Sequence, residues 1–208
     1  MARAGLKYCA LHYLNLWISQ DRSVVDALAG HDDVDKLRAL ASAAAFYRVA
    51  RNLPERYDVG RGLRRYEPVL RIIDGQNAAD FRGKALLPSI KKVRKRISAE
   101  YGGRDVLSLT TKFLWLRFQS PVIIYDSQGR RAVGTGSGDI DEYYSRWRDK
   151  FRQHSKEIEA ACVSVRMARE YSIDPEVATA RYIAETTSTQ WFKERVFDVY
   201  LWHRGADA

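Results

Sequence analysis

PSIKKVRKRISAEYGG (Pro88–Gly103), continued by RDVLSLTTKFLWLRFQ (Arg104–Gln119), is the stretch that decides the fold. In its first half Ile90, Val93, Ile97 and Tyr101 recur at helical spacing, while Lys91, Lys92, Arg94, Lys95 and Arg96 fill the other faces. The segment therefore reads as an amphipathic helix that packs on a core and turns its charge outward. Ser89 is placed to cap its start and Gly102 to end it in a left-handed conformation. A short connector, Arg104–Leu109, leads to a second helix capped by Ser108 or Thr110, whose Phe113, Leu114, Trp115, Leu116 and Phe118 predict burial on more than one side. Lys112 then falls in the first turn, where the positive end of the helix dipole disfavours an ammonium and lowers its pKa. Pro121 stops this helix, and Val122–Tyr125 form an extended apolar run into Asp126, which is placed to cap a further helix and to stay ionised.

Outside this stretch helical spacing recurs and strand-like alternation is almost absent. Tyr8, Leu11, Leu14 and Ile18 form one face, Leu37, Leu40, Ala44 and Tyr47 a second, and Tyr144, Trp147 and Phe151 a third. Asp141–Tyr171 reads as one or two helices, Asp174-Pro175 as a cap with proline in the first turn, and Thr187–His203 as the closing helix. Breaks are expected around Arg51–Gly62, at Gly102-Gly103 and across Gly129–Gly138. The fold class is mainly α: one helical domain over residues 1–208, built as two small lobes around a cleft. Its helix-hairpin-helix element covers about 89–118 and its linker about 129–140.

The chain has 208 residues, 46% of them hydrophobic, which suffices for a substantial core. No repeat of fixed period is visible, and Ala41–Ala45 is the single low-complexity patch. Cys9 and Cys162 are far apart and form no CxxC or Cys/His cluster, which argues against a zinc knuckle or a four-cysteine iron–sulfur site and for buried thiols in a reducing compartment. His12, His31, His154 and His203 show no metal-ligand spacing, and Asp139, Asp141 and Glu142 read as the charged start of a helix. Neither a metal nor another cofactor is called for. The apolar-rich Tyr8–Ile18, interrupted by His12 and Asn15, is too short to span a bilayer and lacks a cleavage-like pattern, so a cytoplasmic location and no membrane partner are expected.

Net charge is +9, and Arg82–Arg117 alone holds ten basic residues against Glu100 and Asp105, a local excess of +8. A field of that sign attracts a polyanion and supplies affinity by counterion release. The same run can also be a solvated helix face.

One order carries a resemblance: a helix, a short hairpin, a helix bearing a lysine early, proline with an apolar run, then aspartate at a helix start. In LSLTTKFLWLRFQSPVIIYDSQGRR, Leu107–Arg131, this order resembles the helix-hairpin-helix superfamily of DNA glycosylases, and the closing RVFDVYLWHRG is similar to the final helix of its compact bacterial members. The resemblance implies an enzyme that flips a modified base out of double-stranded DNA and cuts its N-glycosidic bond, leaving an abasic site. It implies a monomer without a cofactor, with Lys112 and Asp126 as catalytic residues and Lys91, Lys92, Arg94, Lys95, Arg104, Thr110, Thr111, Arg130 and Arg131 on the DNA backbone. Trp115, Tyr125 and Tyr144 are expected in the base pocket, and Gly134–Asp139 at its rim. Compact relatives include a phage-defence enzyme acting on glucosylated hydroxymethylcytosine, the substrate class favoured here; repair of 8-oxoguanine or another damaged base is the alternative. A non-catalytic DNA-binding module, a nuclease and an RNA-binding protein are the rivals.

The chemistry asks for these residue types independently. Cleaving an N-glycosidic bond builds positive charge on the sugar, which a nearby carboxylate stabilises. A neutral lysine amine can attack C1′ and form a Schiff base, whereas a protonated lysine would hold a phosphate and leave simple hydrolysis.

Overall fold

Amphipathic segments joined by short turns leave little choice but helix on helix, and no strand occurs among the described residues. The computed structural model describes residues 4–53 and 62–206, so the break expected over Arg51–Gly62 falls largely outside the described residues. The helices are α1 (Leu6–Leu16), α2 (Arg22–Ala29), α3 (Asp33–Phe46), α4 (Glu67–Asp74), α5 (Leu86–Glu100), α6 (Leu107–Phe118), α7 (Ser127–Val133), α8 (Ile140–Gln153), α9 (Ser155–Val165), α10 (Ala180–Ser188) and α11 (Gln190–Ala206). A π-helical turn, Trp17–Asp21, follows α1 directly and runs into α2. No helix among the described residues is long and apolar enough to cross a membrane. The chain divides into two compact units, residues 1–20 with 125–208, and residues 21–124.

In the second unit α5 buries Ile90, Val93 and Ile97 completely and Tyr101 nearly so, as its spacing predicts. The helix begins four residues earlier than a Ser89 cap would allow, at Leu86, because Leu86 is itself buried and Pro88 is tolerated in a first turn. Gly102 and Gly103 both take positive φ, 71° and 77°, and the amides of Tyr101 and Gly103 donate to the Ser98 carbonyl. The turn into α6 is thus 101–106, and the VLSL segment expected in the hairpin is almost wholly helical. Asp105 performs the capping expected of Ser108 or Thr110: its Oδ1 accepts the Leu107 amide at 3.1 Å and pairs with Arg94 at 3.0 Å. Every residue of α6 from Leu107 to Leu116 except Ser108 is buried. Asp74, at the end of α4, pairs with Lys36 of α3 at 2.5 Å and with Arg117 of α6 at 3.6 Å.

In the first unit α11 packs against α1, α7, α9 and α10. The buried face of α1 is Cys9, Ala10, Tyr13 and Leu14, not the face centred on Tyr8, which is half exposed and stacks on His12. The small Cys9 and Ala10 side chains admit the neighbouring helices, a packing requirement that hydrophobic spacing alone does not register. Helix α7 occupies the first half of the expected linker and ends at Gly134 in a left-handed conformation, φ 77°, whose amide donates to the Arg130 and Arg131 carbonyls. Asp174 accepts the amides of Glu176 and Val177 in a turn, but the helix starts at Ala180 with Thr179 as its cap. The closing helix begins at Gln190, after a break at Thr189.

Candidate functional site

Lys112 lies in the second turn of α6, so the dipole at the helix start is no longer what shapes its amine. Its side chain is instead enclosed: the residue is 6% exposed, Nζ donates to Ser108 Oγ at 2.7 Å, and it lies 5.9 Å from the centre of the Tyr47 ring. The Tyr47 hydroxyl donates to both carboxylate oxygens of Asp21, at 2.6 and 2.8 Å, and Asp21 is fully buried. Amine, ring, hydroxyl and carboxylate thus form one buried polar cluster within the second unit, drawn from the π-helical turn, the C-terminal end of α3, and α6. Burying an ammonium or a carboxylate forfeits hydration, so such groups persist only where neighbours replace the lost solvent. Neither Asp21 nor Tyr47 carries a sequence signal linking it to Lys112.

The basic face expected on α5 is present. Lys91, Lys92, Lys95 and Arg96 are exposed, as are Arg82 and Lys84 ahead of the helix and Arg104 in the turn after it. Arg94 is the partly buried member, tied to Asp105. Thr110 and Thr111 are not available to a phosphate: both are fully buried, and Thr111 Oγ1 donates back to the Leu107 and Ser108 carbonyls. They stand on the core side of a helix buried all round, where a short β-branched residue fits but is not read from the surface.

In the first unit Asp126 caps α7 as expected, its Oδ1 accepting the Gly129 amide at 2.6 Å. Two glycines allow α7 to sit this deep. A Cβ on Gly129 would fall 2.9 Å from the Tyr143 hydroxyl oxygen and 3.3 Å from Asp126 Oδ1, and one on Gly205 would fall 1.9 Å from the Gln128 carbonyl oxygen. Behind this contact Asp198 accepts Trp147 Nε1 at 2.8 Å and Arg195 Nη1 at 3.0 Å. Burial pushes the Asp198 carboxyl up to about 7, against the opposing pull of Arg195 and Trp147 and with a smaller push from the Asp126 charge. Burial and the charges of Asp198 and Asp126 likewise hold the Tyr143 hydroxyl well above its usual range. Asp198 was legible in principle, as a lone acid inside the apolar run Val196–Leu201.

Arg130 and Arg131, expected on DNA phosphates, are engaged with backbone: Arg130 donates to the Thr135 carbonyl at 3.1 Å and Arg131 to that of Gly205 at 2.8 Å. Arg146 and Lys150 of α8 similarly donate to Gly134 and Ala132, so cations neutralise the negative end of α7. Of the expected pocket aromatics, Trp115 is a core residue of the second unit, and Tyr125 and Tyr144 are core residues of the first. Tyr125 also accepts the Gly138 amide at 2.8 Å, which fixes one end of the glycine-rich 134–139 segment.

Asp139 caps α8, with Asp141 and Glu142 in its first turn, which is the charged helix start read from the sequence. Among the described residues no three His, Cys, Asp or Glu side chains converge in a way that could hold a metal ion. Cys9 and Cys162 are buried free thiols, pushed up by burial to about 11 and about 12. The chain matches no protein-family model, no curated protein and no solved structure.

Proposed function

We propose that this chain is a DNA N-glycosylase that removes a modified base through the amine of Lys112. The observation that carries this reading is a lysine 6% exposed on the helix that directly follows a helix and turn lined by exposed Lys91, Lys92, Lys95, Arg96 and Arg104. Positive charge on the outside gathers the polyanion, and an enclosed amine is set apart from water for covalent chemistry. In the proposed step the neutral amine forms a bond to C1′ as the N-glycosidic bond breaks. The base leaves with the bonding electrons and takes up a proton, and the amine nitrogen gives up its own. Ring opening then yields a Schiff base that borohydride reduces. Asp126 enters the proposal as a carboxylate able to stabilise the positive charge that builds on the sugar. A bulky modified cytosine is the favoured substrate class, and a damaged purine the alternative.

The test is incubation with duplexes containing unmodified, glucosylated, hydroxymethylated or oxidised bases, followed by alkali to reveal abasic sites and by borohydride to trap covalent complexes. Strand breaks confined to a modified duplex, and trapping lost in Lys112→Gln, are the expected results. Unchanged breakage in Asp126→Asn removes that carboxylate from the reaction. Affinity without breakage on every duplex leaves a non-catalytic DNA-binding module, which the basic face of α5 alone would serve. Replacing Lys91, Lys92 and Lys95 by Gln should lower the slope of log K against log salt by roughly three.

A further inference from the structure

We propose that Asp21 and Tyr47 are positioning residues for Lys112, the buried carboxylate fixing through the tyrosine hydroxyl the ring against which the amine is held. The inference rests on the reading of Lys112 as the reacting amine and deepens it. Three observations support it.

The first is economy of burial. Asp21 is 0% exposed, yet a carboxylate at a buried position is stabilised less well than an apolar side chain of similar volume, so its presence is not explained by packing alone. Its two oxygens are both engaged by one hydroxyl, at 2.6 and 2.8 Å, which holds the phenol ring on the axis that points back to Asp21.

The second is how Asp21 arrives there. It closes the π-helical turn Trp17–Asp21, a break in regular α-helical bonding placed directly at this carboxylate. Such turns are rare and are found disproportionately at functional sites.

The third is the end of α3. The Val49 amide donates to the Ala44 carbonyl at 2.9 Å and the Arg48 amide to Ala45 at 3.1 Å, which is the bonding of a helix stop that favours glycine at its left-handed position. Arg48 occupies that position with φ 54°. An L side chain is strained there, and the strain is accepted beside Tyr47, at the point that delivers its ring to Lys112.

Two substitutions test the proposal, since they perturb the link differently. Tyr47→Phe keeps the ring and deletes the hydroxyl; Asp21→Asn keeps an acceptor and deletes the charge. On a modified duplex each should lower the single-turnover rate and the borohydride-trapped yield at least tenfold while DNA affinity stays within twofold, because a misplaced amine spoils reaction rather than binding. The double variant should be no slower than the slower single one, as for two residues acting through one contact.

A second readout needs no DNA. Reductive methylation with formaldehyde and cyanoborohydride, mapped by mass spectrometry, should show methylation of Lys112 falling at least threefold in both variants while the exposed Lys91, Lys92 and Lys95 react as before. If the wild type excises nothing but Lys112 methylation still depends on Tyr47 and Asp21, the glycosylase reading falls and the positioning role stands. Wild-type rates of both excision and methylation in the variants overturn the positioning role. So does a loss of Lys112 reactivity that merely follows the loss of folded protein, measured by circular dichroism on the same samples. Should Tyr47→Phe not fold, Asp21→Asn decides.

Discussion

In the second unit the Tyr47 hydroxyl ties Asp21 to the ring beside Lys112, whereas in the first unit Asp198 is gripped from two sides, by the Trp147 indole and the Arg195 guanidinium. The surroundings of these two buried acids differ as well. Helix α7, which carries Asp126 at its start, is tied down along its length: the Asp126 cap at one end, Gly205 against Gln128 in the first turn, and Arg130, Arg146 and Lys150 on the carbonyls at the other end. The helices of the second unit that deliver Tyr47 and Lys112 both end instead on left-handed non-glycine residues, Arg48 at φ 54° and Gln119 at φ 53°, the only two among the described residues. Strain of that kind costs about 1–3 kcal/mol per residue and survives only where surrounding structure over-determines it. The contrast separates a helix held at both ends by caps and cations from a region in which backbone strain is accepted around an amine.

The comparison breaks first, if it breaks, at Gly205. An added methyl group meets the Gln128 backbone rather than a yielding side chain, so Gly205→Ala should lower unfolding free energy by about 3 kcal/mol in urea titrations. A neutral result would mean that α7 is not held by α11.

Next comes the pH dependence of Asp198, whose folded pKa of about 7 lies above its ordinary 3.8. Between those values the folded state holds the proton more tightly than the unfolded chain. The contribution is therefore fully present below about pH 4, declines as pH rises, and is gone above about pH 7. Asp198→Asn cannot ionise, so its stability relative to wild type should improve by roughly 2–4 kcal/mol between pH 4 and pH 8. Parallel stability curves for the two proteins would show that Asp198 is not buried as described.

Asp74 sharpens the other side. It is the common partner of Lys36 and Arg117, and its removal leaves the nearly buried Lys36 ammonium only the longer 3.7 Å contact with exposed Asp33. Asp74→Ala should cost about 2 kcal/mol, measured by thermal or urea unfolding, part of the full penalty being spared because Asp74 is 26% exposed. The smallest effect is the most diagnostic: Arg48→Gly should stabilise the protein by about 1 kcal/mol, since glycine adopts the left-handed conformation freely. If strain at Arg48 matters for the amine, the same variant should lower trapping through Lys112 although it melts higher.

Much of the architecture could be read along the chain. The apolar face of α5, the burial of α6, the caps at Asp126 and Asp139 and the left-handed glycine at 102 all follow from interactions within a few residues. Helices start ahead of the best capping residue where apolar residues stand before it, as at Leu86 and Leu107, because burial extends a helix beyond its cap. The basic run was legible as a field but not as a set of contacts. Arg94 is tied to Asp105, and Thr110 and Thr111 are turned inward.

Of the candidate site, Lys112 and Asp126 could be named because their residue types and helix positions are local facts. Their surroundings could not. Asp21 and Tyr47 reach Lys112 from 91 and 65 residues away, and Asp198 comes beside Trp147 across 51 residues. Periodicity and capping chemistry are short-range and are written in neighbouring residues, so the chain by itself determined that it would be helical and where charge would gather. Which acid each buried group would face, and which glycine would let two backbones touch, depended on packing between distant segments, and only the folded tertiary structure decided it.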